Sequence, residues 1–279
     1  MTSKSYLRNI VRGSQLAAAK LLRSPYRKVN ISWFKLKALK HLPAGKEREH
    51  TLFGKKVSYL NPQDFLHGIK EIFVEEIYKQ RLPNNAYVID CGSNIGLSII
   101  YIKQICPTAT VVGFEPDQKN YDLLIRNLEP FGLTNITIHK AAVWTENGPL
   151  QFTDTGTMGS SISQTETEKT ITVEGKRLKD LLNKKVDFLK IDIEGAEYAV
   201  LKDIEPELKH VQNLFVEYHG NYSQNNELTD IFSMLVNSGF NYYIKEATSI
   251  YDYPLTREKK NPTPFDVQLN IFCTRNEKR

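Results

Sequence analysis

The sequence predicts an α/β fold built on a mostly parallel sheet, and three observations carry that expectation. From about residue 86, short runs of β-branched and aromatic residues alternate with helical patterns of about a dozen residues. That rhythm implies parallel strands joined by right-handed crossovers. The stretch Tyr87 to Gly96 reads as a buried strand that turns through two glycines, Gly92 and Gly96, into a helix with Leu97, Ile99, Ile100, Ile102 and Ile105. Acidic residues then collect at the ends of the expected strands, at Asp90, Glu115, Asp192 and Glu217.

A chain of 279 residues suits one large α/β domain, or a domain of about 200 residues with an extension. With 41% hydrophobic and 25% charged residues, the composition is that of a globular protein. No run of about 18 apolar residues occurs, so no transmembrane helix is expected, and the first residues are too polar for a signal-peptide core. Cys91, Cys106 and Cys273 lack metal-type spacing, and two of them lie in apolar strand or helix patterns that read as buried free thiols, which suits a reducing, cytoplasmic setting. The net charge of +5 is uneven. Residues 1–60 hold 14 Lys and Arg against 2 Asp and Glu, whereas the rest of the chain is mildly acidic.

Residues 1–60 therefore form a basic N-terminal extension, and residues 61–279 the main domain. Within 1–40, apolar positions at helical intervals (Ile10, Leu16, Leu21, Leu22, then Trp33, Phe34, Leu36, Leu39) interleave with Lys and Arg. Such a segment suits peripheral contact with an anionic membrane or a partner protein. A helical flap packed on the domain is the plainer alternative. No nucleic-acid motif accompanies the charge, so no nucleic-acid partner is expected.

Residues 51–60 suggest a hairpin, and Phe65 to Gln80 an amphipathic helix. Strands are expected at 86–91, 109–115 and 135–139, with helices at about 95–105 and 118–130. Between 144 and 180 the rhythm gives way to a β-type insertion around a Gly/Ser/Thr-rich loop, Thr155 to Ser161. The sheet resumes at 186–192 and 211–218, with helices at about 196–203 and 227–237. Strands at 240–245 and 268–274 close it, and 247–266 reads as a rim loop.

In an open parallel sheet, ligands bind beyond the carboxyl ends of the strands. Glu115 lies 25 residues after Asp90, at the end of the next strand, where an acid can hold both hydroxyls of a ribose. A pyrophosphate would want G-x-G-x-x-G. This chain has G-x-x-x-G preceded by Asp90, and an acid there repels phosphate and suits a cationic ligand. S-adenosylmethionine carries a sulfonium and an ammonium and no phosphate, so the electrostatics favour it over NAD.

The segments V-I-D-C-G-S-N-I-G (88–96), G-F-E-P-D (113–117) and L-K-I-D-I-E-G-A-E (189–197) together resemble the FkbM-type S-adenosylmethionine-dependent methyltransferases, over roughly residues 84–220. The resemblance implies a class I methyltransferase (Rossmann-like) fold, a seven-stranded sheet in order 3-2-1-4-5-7-6 with strand 7 antiparallel. It also implies O-methylation of sugars, glycans or secondary metabolites. By position, Asp90, Gly92, Ser93, Asn94 and Gly96 would line the methionine end of the cofactor and Glu115 its ribose. Ala142, within Ala141–Val143, would lie near the adenine.

Methyl transfer to a hydroxyl needs an acceptor oxygen aligned with the S–CH₃ bond and a base for its proton. Asp192, Glu194, Glu217 and His219 are the candidate bases. Strand alternation sets Lys190 and Asp192 on one face, where Lys190 could hold the Asp192 charge in place. It likewise sets Glu217 beside His219 as a base and its orienter. A divalent metal on Asp192, Glu217 and His219 is chemically reasonable, but sequence fixes no distances and none is assigned. The competing functions are a non-catalytic scaffold with this fold and an NAD-type oxidoreductase.

Overall fold

The computed structural model describes residues 24–153, 170–260 and 263–275, in two compact units. The apolar positions at Ile10, Leu16, Leu21 and Leu22 and the loop from Thr155 to Ser161 lie outside the described residues.

The first unit comprises the described residues up to Lys79 together with Arg126–Phe131. The Ser32 hydroxyl accepts from the Lys35 N–H at 3.2 Å and caps α1 (Trp33–His41). A hairpin follows, β1 (Arg48–Leu52) against β2 (Lys55–Tyr59). Pro62 after the Asn61 cap opens α2 (Pro62–Gly68). Val29, Leu39, Leu52, Val57, Tyr59 and Phe65 are buried, with Tyr59 and Phe65 stacked at 4.1 Å between ring centres. The expected helix from Phe65 to Gln80 is shorter than its apolar pattern. After Gly68 it widens into a π-type turn (Ile69–Val74), with the Glu75 N–H reaching back to the Lys70 carbonyl. Glu76 then adopts a left-handed backbone (φ 53°), which ends the helix before Gln80.

The second unit, residues 80–125 and 132–279, holds the large sheet. Its first half runs β3 (Tyr87–Cys91), α3 (Leu97–Ile105), β4 (Thr110–Phe114), α4 (Gln118–Leu128, of which Arg126–Leu128 count with the first unit) and β5 (Ile136–His139). A separate three-stranded sheet follows, from β6 (Ala142–Trp144), β7 (Gly148–Thr153) and β8 (Thr170–Arg177), with β7 antiparallel to β8. The main sheet resumes with β9 (Val186–Ile191), α5 (Glu197–Ile204), β10 (Val211–Gly220), α6 (Asn225–Asn237) and β11 (Asn241–Glu246). The rim segment carries a small hairpin, β12 (Tyr251–Tyr253) with β13 (Glu258–Lys259), before β14 (Val267–Thr274).

The seven main strands lie in the order β11-β14-β10-β9-β3-β4-β5. Counted in chain order, this is 3-2-1-4-5-7-6, the class I methyltransferase arrangement. β14 is antiparallel to both neighbours, and the remaining pairings are parallel. Every residue of β9 is buried, as a central strand covered on both faces requires. Ile89, Leu189, Ile191, Val200, Leu214 and Val216 belong to the core. No helix among the described residues is long and apolar enough to cross a membrane.

Candidate active site

Strand alternation sends Asp90, Lys190 and Asp192 to one side of the sheet, and the register sets Asp90 directly opposite Lys190. The Lys190 ammonium is 3% exposed. It lies 3.4 Å from Asp90 Oδ1 and 3.1 Å from Asp192 Oδ2, and it donates to the Gly92 carbonyl at 2.8 Å. Ser98 in α3 donates to Asp90 Oδ2 at 2.6 Å, and the Ser93 hydroxyl donates to the Asp90 carbonyl at 3.0 Å. Asp90 Oδ1 is buried and takes no hydrogen bond among the described residues.

The turn itself runs close to its neighbour. Gly92 has φ +81°, and a Cβ there would collide with the backbone carbonyl of Asp192. Gly96, also left-handed, opens α3. Burial pushes the Cys91 thiol far above its ordinary range, which leaves it an inert core group.

Glu115 follows β4 and is 6% exposed. Its Oε2 accepts the Asn94 N–H at 2.8 Å and its Oε1 the Asp117 N–H at 2.9 Å, so the carboxyl group ties the end of β4 to the glycine turn. Burial raises its pKa to about 7 against the lowering effect of those two N–H groups. Ala142 is fully buried in β6, opposite Gly175.

A second cluster stands at the ends of β9 and β10. The fully buried Glu197 side chain, in the first turn of α5, accepts from the Ile193 N–H at 3.0 Å and the Gly195 N–H at 3.1 Å. Its Oε1 also lies 3.2 Å from His219 Nδ1. A carboxylate oxygen only accepts, so Nδ1 carries the proton in this bond and Nε2 faces the other way. There it meets Glu217 Oε1 at 3.6 Å and Glu194 Oε2 at 3.7 Å, while the ring packs on Phe265.

Burial alone would lower the His219 pKa. The Glu197 hydrogen bond and the charges of Glu197, Glu194 and Asp192 outweigh it and raise the pKa to about 10. Desolvation pushes the Glu194 carboxyl up, to about 7, with Asp192 and Glu197 adding to the push and His219 opposing it. More than half of the Glu194 side chain is exposed, and water tempers that effect.

Lys190 and Asp192 thus meet as the sequence implied, and so do Glu217 and His219. The orienting partner of His219 is not Glu217, however. Glu197 holds Nδ1, and Glu217 stands at Nε2. Sequence reasoning did not single out Glu197 or Ser98. The first carries a usable signal, an acid in the opening turn of a helix that follows a glycine bend.

Residues 90–242 match the FkbM methyltransferase domain. The chain belongs to this family. Methyltransferase 1 of Beauveria bassiana is 28% identical over 181 residues, covering 53% of this chain and 72% of the relative. Methyltransferase sdnD of Sordaria araneosa is 30% identical over 187 residues, again covering 53% and 72%. Hexuronic acid methyltransferase AglP of Haloferax volcanii is 29% identical over 135 residues, covering 47% of this chain and 54% of AglP. The matched span of this chain includes Asp90, Glu115, Lys190, Asp192, Glu197, Glu217 and His219 but stops short of β14.

Proposed function

We propose that the protein is an S-adenosylmethionine-dependent O-methyltransferase acting on a hydroxyl of a sugar, glycan or secondary metabolite. The observation that carries this reading is the acidic assembly at the carboxyl ends of β3, β9 and β10, where Asp90, Asp192, Glu194, Glu197 and Glu217 stand around one buried ammonium and one imidazole. Such a donor set suits a cationic cofactor and opposes a pyrophosphate. The buried Asp90 Oδ1, which accepts no hydrogen bond among the described residues, supports the same reading. The name of one relative, a hexuronic acid methyltransferase, favours a sugar acceptor.

The cofactor, when bound, supplies a methyl group on a sulfonium, a good leaving group. Gly92 would let the backbone approach it, Asp90 would attract its ammonium, and Glu115 would accept hydrogen bonds from its ribose. Lys190 pins Asp192 toward the reacting end. Glu217, 12% exposed at its side chain, accepts the acceptor's proton in concert with His219, whose ring Glu197 holds in place. A positioned base of this kind contributes about 10²- to 10⁴-fold.

Purified protein incubated with methyl-labelled S-adenosylmethionine and a panel of free sugars, uronic acids and lipid-linked saccharides should label at least one acceptor on oxygen. Label in nitrogen or carbon positions only, or calorimetry with no S-adenosylmethionine binding at millimolar concentration, would overturn the reading.

A further inference from the structure

His219 has the geometry of an oriented ligand. Its Nδ1 is held by Glu197, itself fixed by two backbone N–H groups, and this is how proteins orient an imidazole so that the opposite nitrogen can bind a cation. Around that Nε2, Asp192, Glu194 and His219 each offer one ligand atom, and these atoms lie within 4.8 Å of one another. Ligands about 2.1 Å from a shared ion lie about 3–4 Å apart; Glu194 Oε2 already stands 3.7 Å from His219 Nε2, and side-chain shifts of about 1 Å would bring all three atoms within that range. The way in is open, because Asp192 and Glu194 keep 26% and 55% of their side-chain surface in solvent.

Two further observations point to an occupant. Lys190 is shared between Asp90 and Asp192, so its one positive charge is divided between two of the assembly's carboxyl groups. On β14, Asn270 is fully buried, and neither its Nδ2 nor its Oδ1 has a hydrogen-bond partner among the described residues. Asn270 stands directly across from Glu217, on the same face of the sheet as His219. A buried amide without partners is destabilising, and the hydration shell of an ion beside Glu217 would satisfy it.

We propose that Asp192, Glu194 and His219 bind one divalent first-row transition cation, with Glu197 as the residue that positions the His219 ring. Mixed carboxylate and imidazole ligation suits Mn²⁺ or Zn²⁺ better than the all-oxygen preference of Ca²⁺. The cation's use in holding the acceptor oxygen rests on the O-methyl transfer reading; its binding does not.

The test is a titration of the chelator-stripped full chain with MnCl₂, followed by loss of the free Mn²⁺ paramagnetic resonance signal, with Zn²⁺ as competitor. One Mn²⁺ per chain should bind, with a dissociation constant of about 100 μM or tighter. Glu194→Gln should weaken binding at least about tenfold, and Glu197→Gln by about 10- to 100-fold. Glu146→Gln, an exposed acid outside the cluster, should leave it unchanged. Absence of Mn²⁺ and Zn²⁺ binding up to about 1 mM, or equal affinity in Glu194→Gln and the parent, overturns the site. S-adenosylmethionine binding measured on the same stripped protein separates the two readings. Cofactor without cation refutes the metal alone, and cation without cofactor refutes the methyl-transfer reading alone.

Discussion

The carbonyl oxygen of Asp192 occupies the space that a side chain on Gly92 would need, and the Asp192 N–H donates to the Cys91 carbonyl at 3.2 Å. The ends of β3 and β9 are therefore in backbone contact at the glycine turn. Gly92→Ala adds a left-handed strain of about 1–2 kcal/mol to a collision with backbone that cannot swing aside. We expect a loss of about 3 kcal/mol or more in urea unfolding, together with loss of cofactor binding. Gly132→Ala, also at positive φ but with open space around it, should cost only the strain. Equal midpoints for the two variants would show that β3 and β9 do not approach as closely as described.

Lys190 makes a second prediction. Its buried ammonium serves two carboxylates and the carbonyls of Cys91 and Gly92. Lys190→Met strands all four, and breaking a buried pair from one side costs about 3–5 kcal/mol. Adding Asp192→Asn should return part of that loss, because the two changes share one network. Strict additivity in the denaturation midpoints would sink the pairing.

The parts of the site that rest on strand periodicity were legible in the sequence. A period of two sets Lys190 with Asp192 and Glu217 with His219, and apolar runs ending in an acid mark where β3 and β9 stop, whereas β10 runs on past Glu217 to Gly220. The link between Glu197 and His219 was not legible. It depends on how the bend at Gly195 folds α5 back over the strand ends, and neither residue's local pattern encodes that distance. Asn270 was hidden for a similar reason. Only the register of antiparallel β14 brings it opposite Glu217. The π-type turn after Gly68 keeps the apolar periodicity of an ordinary helix, so pattern alone overextended that helix to Gln80.

Glu115 should make cofactor binding depend on pH. Its pKa is raised from the ordinary carboxyl range to about 7, so the folded chain holds a proton there that the unfolded chain gives up near 4.5. The sign follows directly: this group's contribution to stability is full below about 4.5 and is lost as pH rises to about 7. Ribose recognition needs the carboxylate, so calorimetric affinity for S-adenosylmethionine should strengthen between about pH 6 and 8. Glu115→Gln should bind more weakly and lose that dependence, whereas Glu194→Gln, which removes the other carboxyl pushed toward 7, should keep it. A dependence that survives in Glu115→Gln would remove the ribose assignment.

His219 titrates in the opposite sense to a depressed acid. Its folded pKa is raised to about 10 by the Glu197 bond and the neighbouring carboxylates, which together overcome burial. The stabilisation is fully present below the unfolded value near 6.5 and is lost as pH rises through about 10. A shift of that size corresponds to a few kcal/mol, on the order of 1.4 kcal/mol per pH unit. Cofactor-free protein should therefore lose stability steadily between pH 7 and 10, and His219→Asn should flatten that slope while lowering stability near pH 7. Glu197→Gln removes the ring's principal partner, so the slope should shrink and shift toward lower pH. Urea midpoints of the three proteins across that range decide the matter, and parallel curves would mean that Glu197 does not govern the charge on His219.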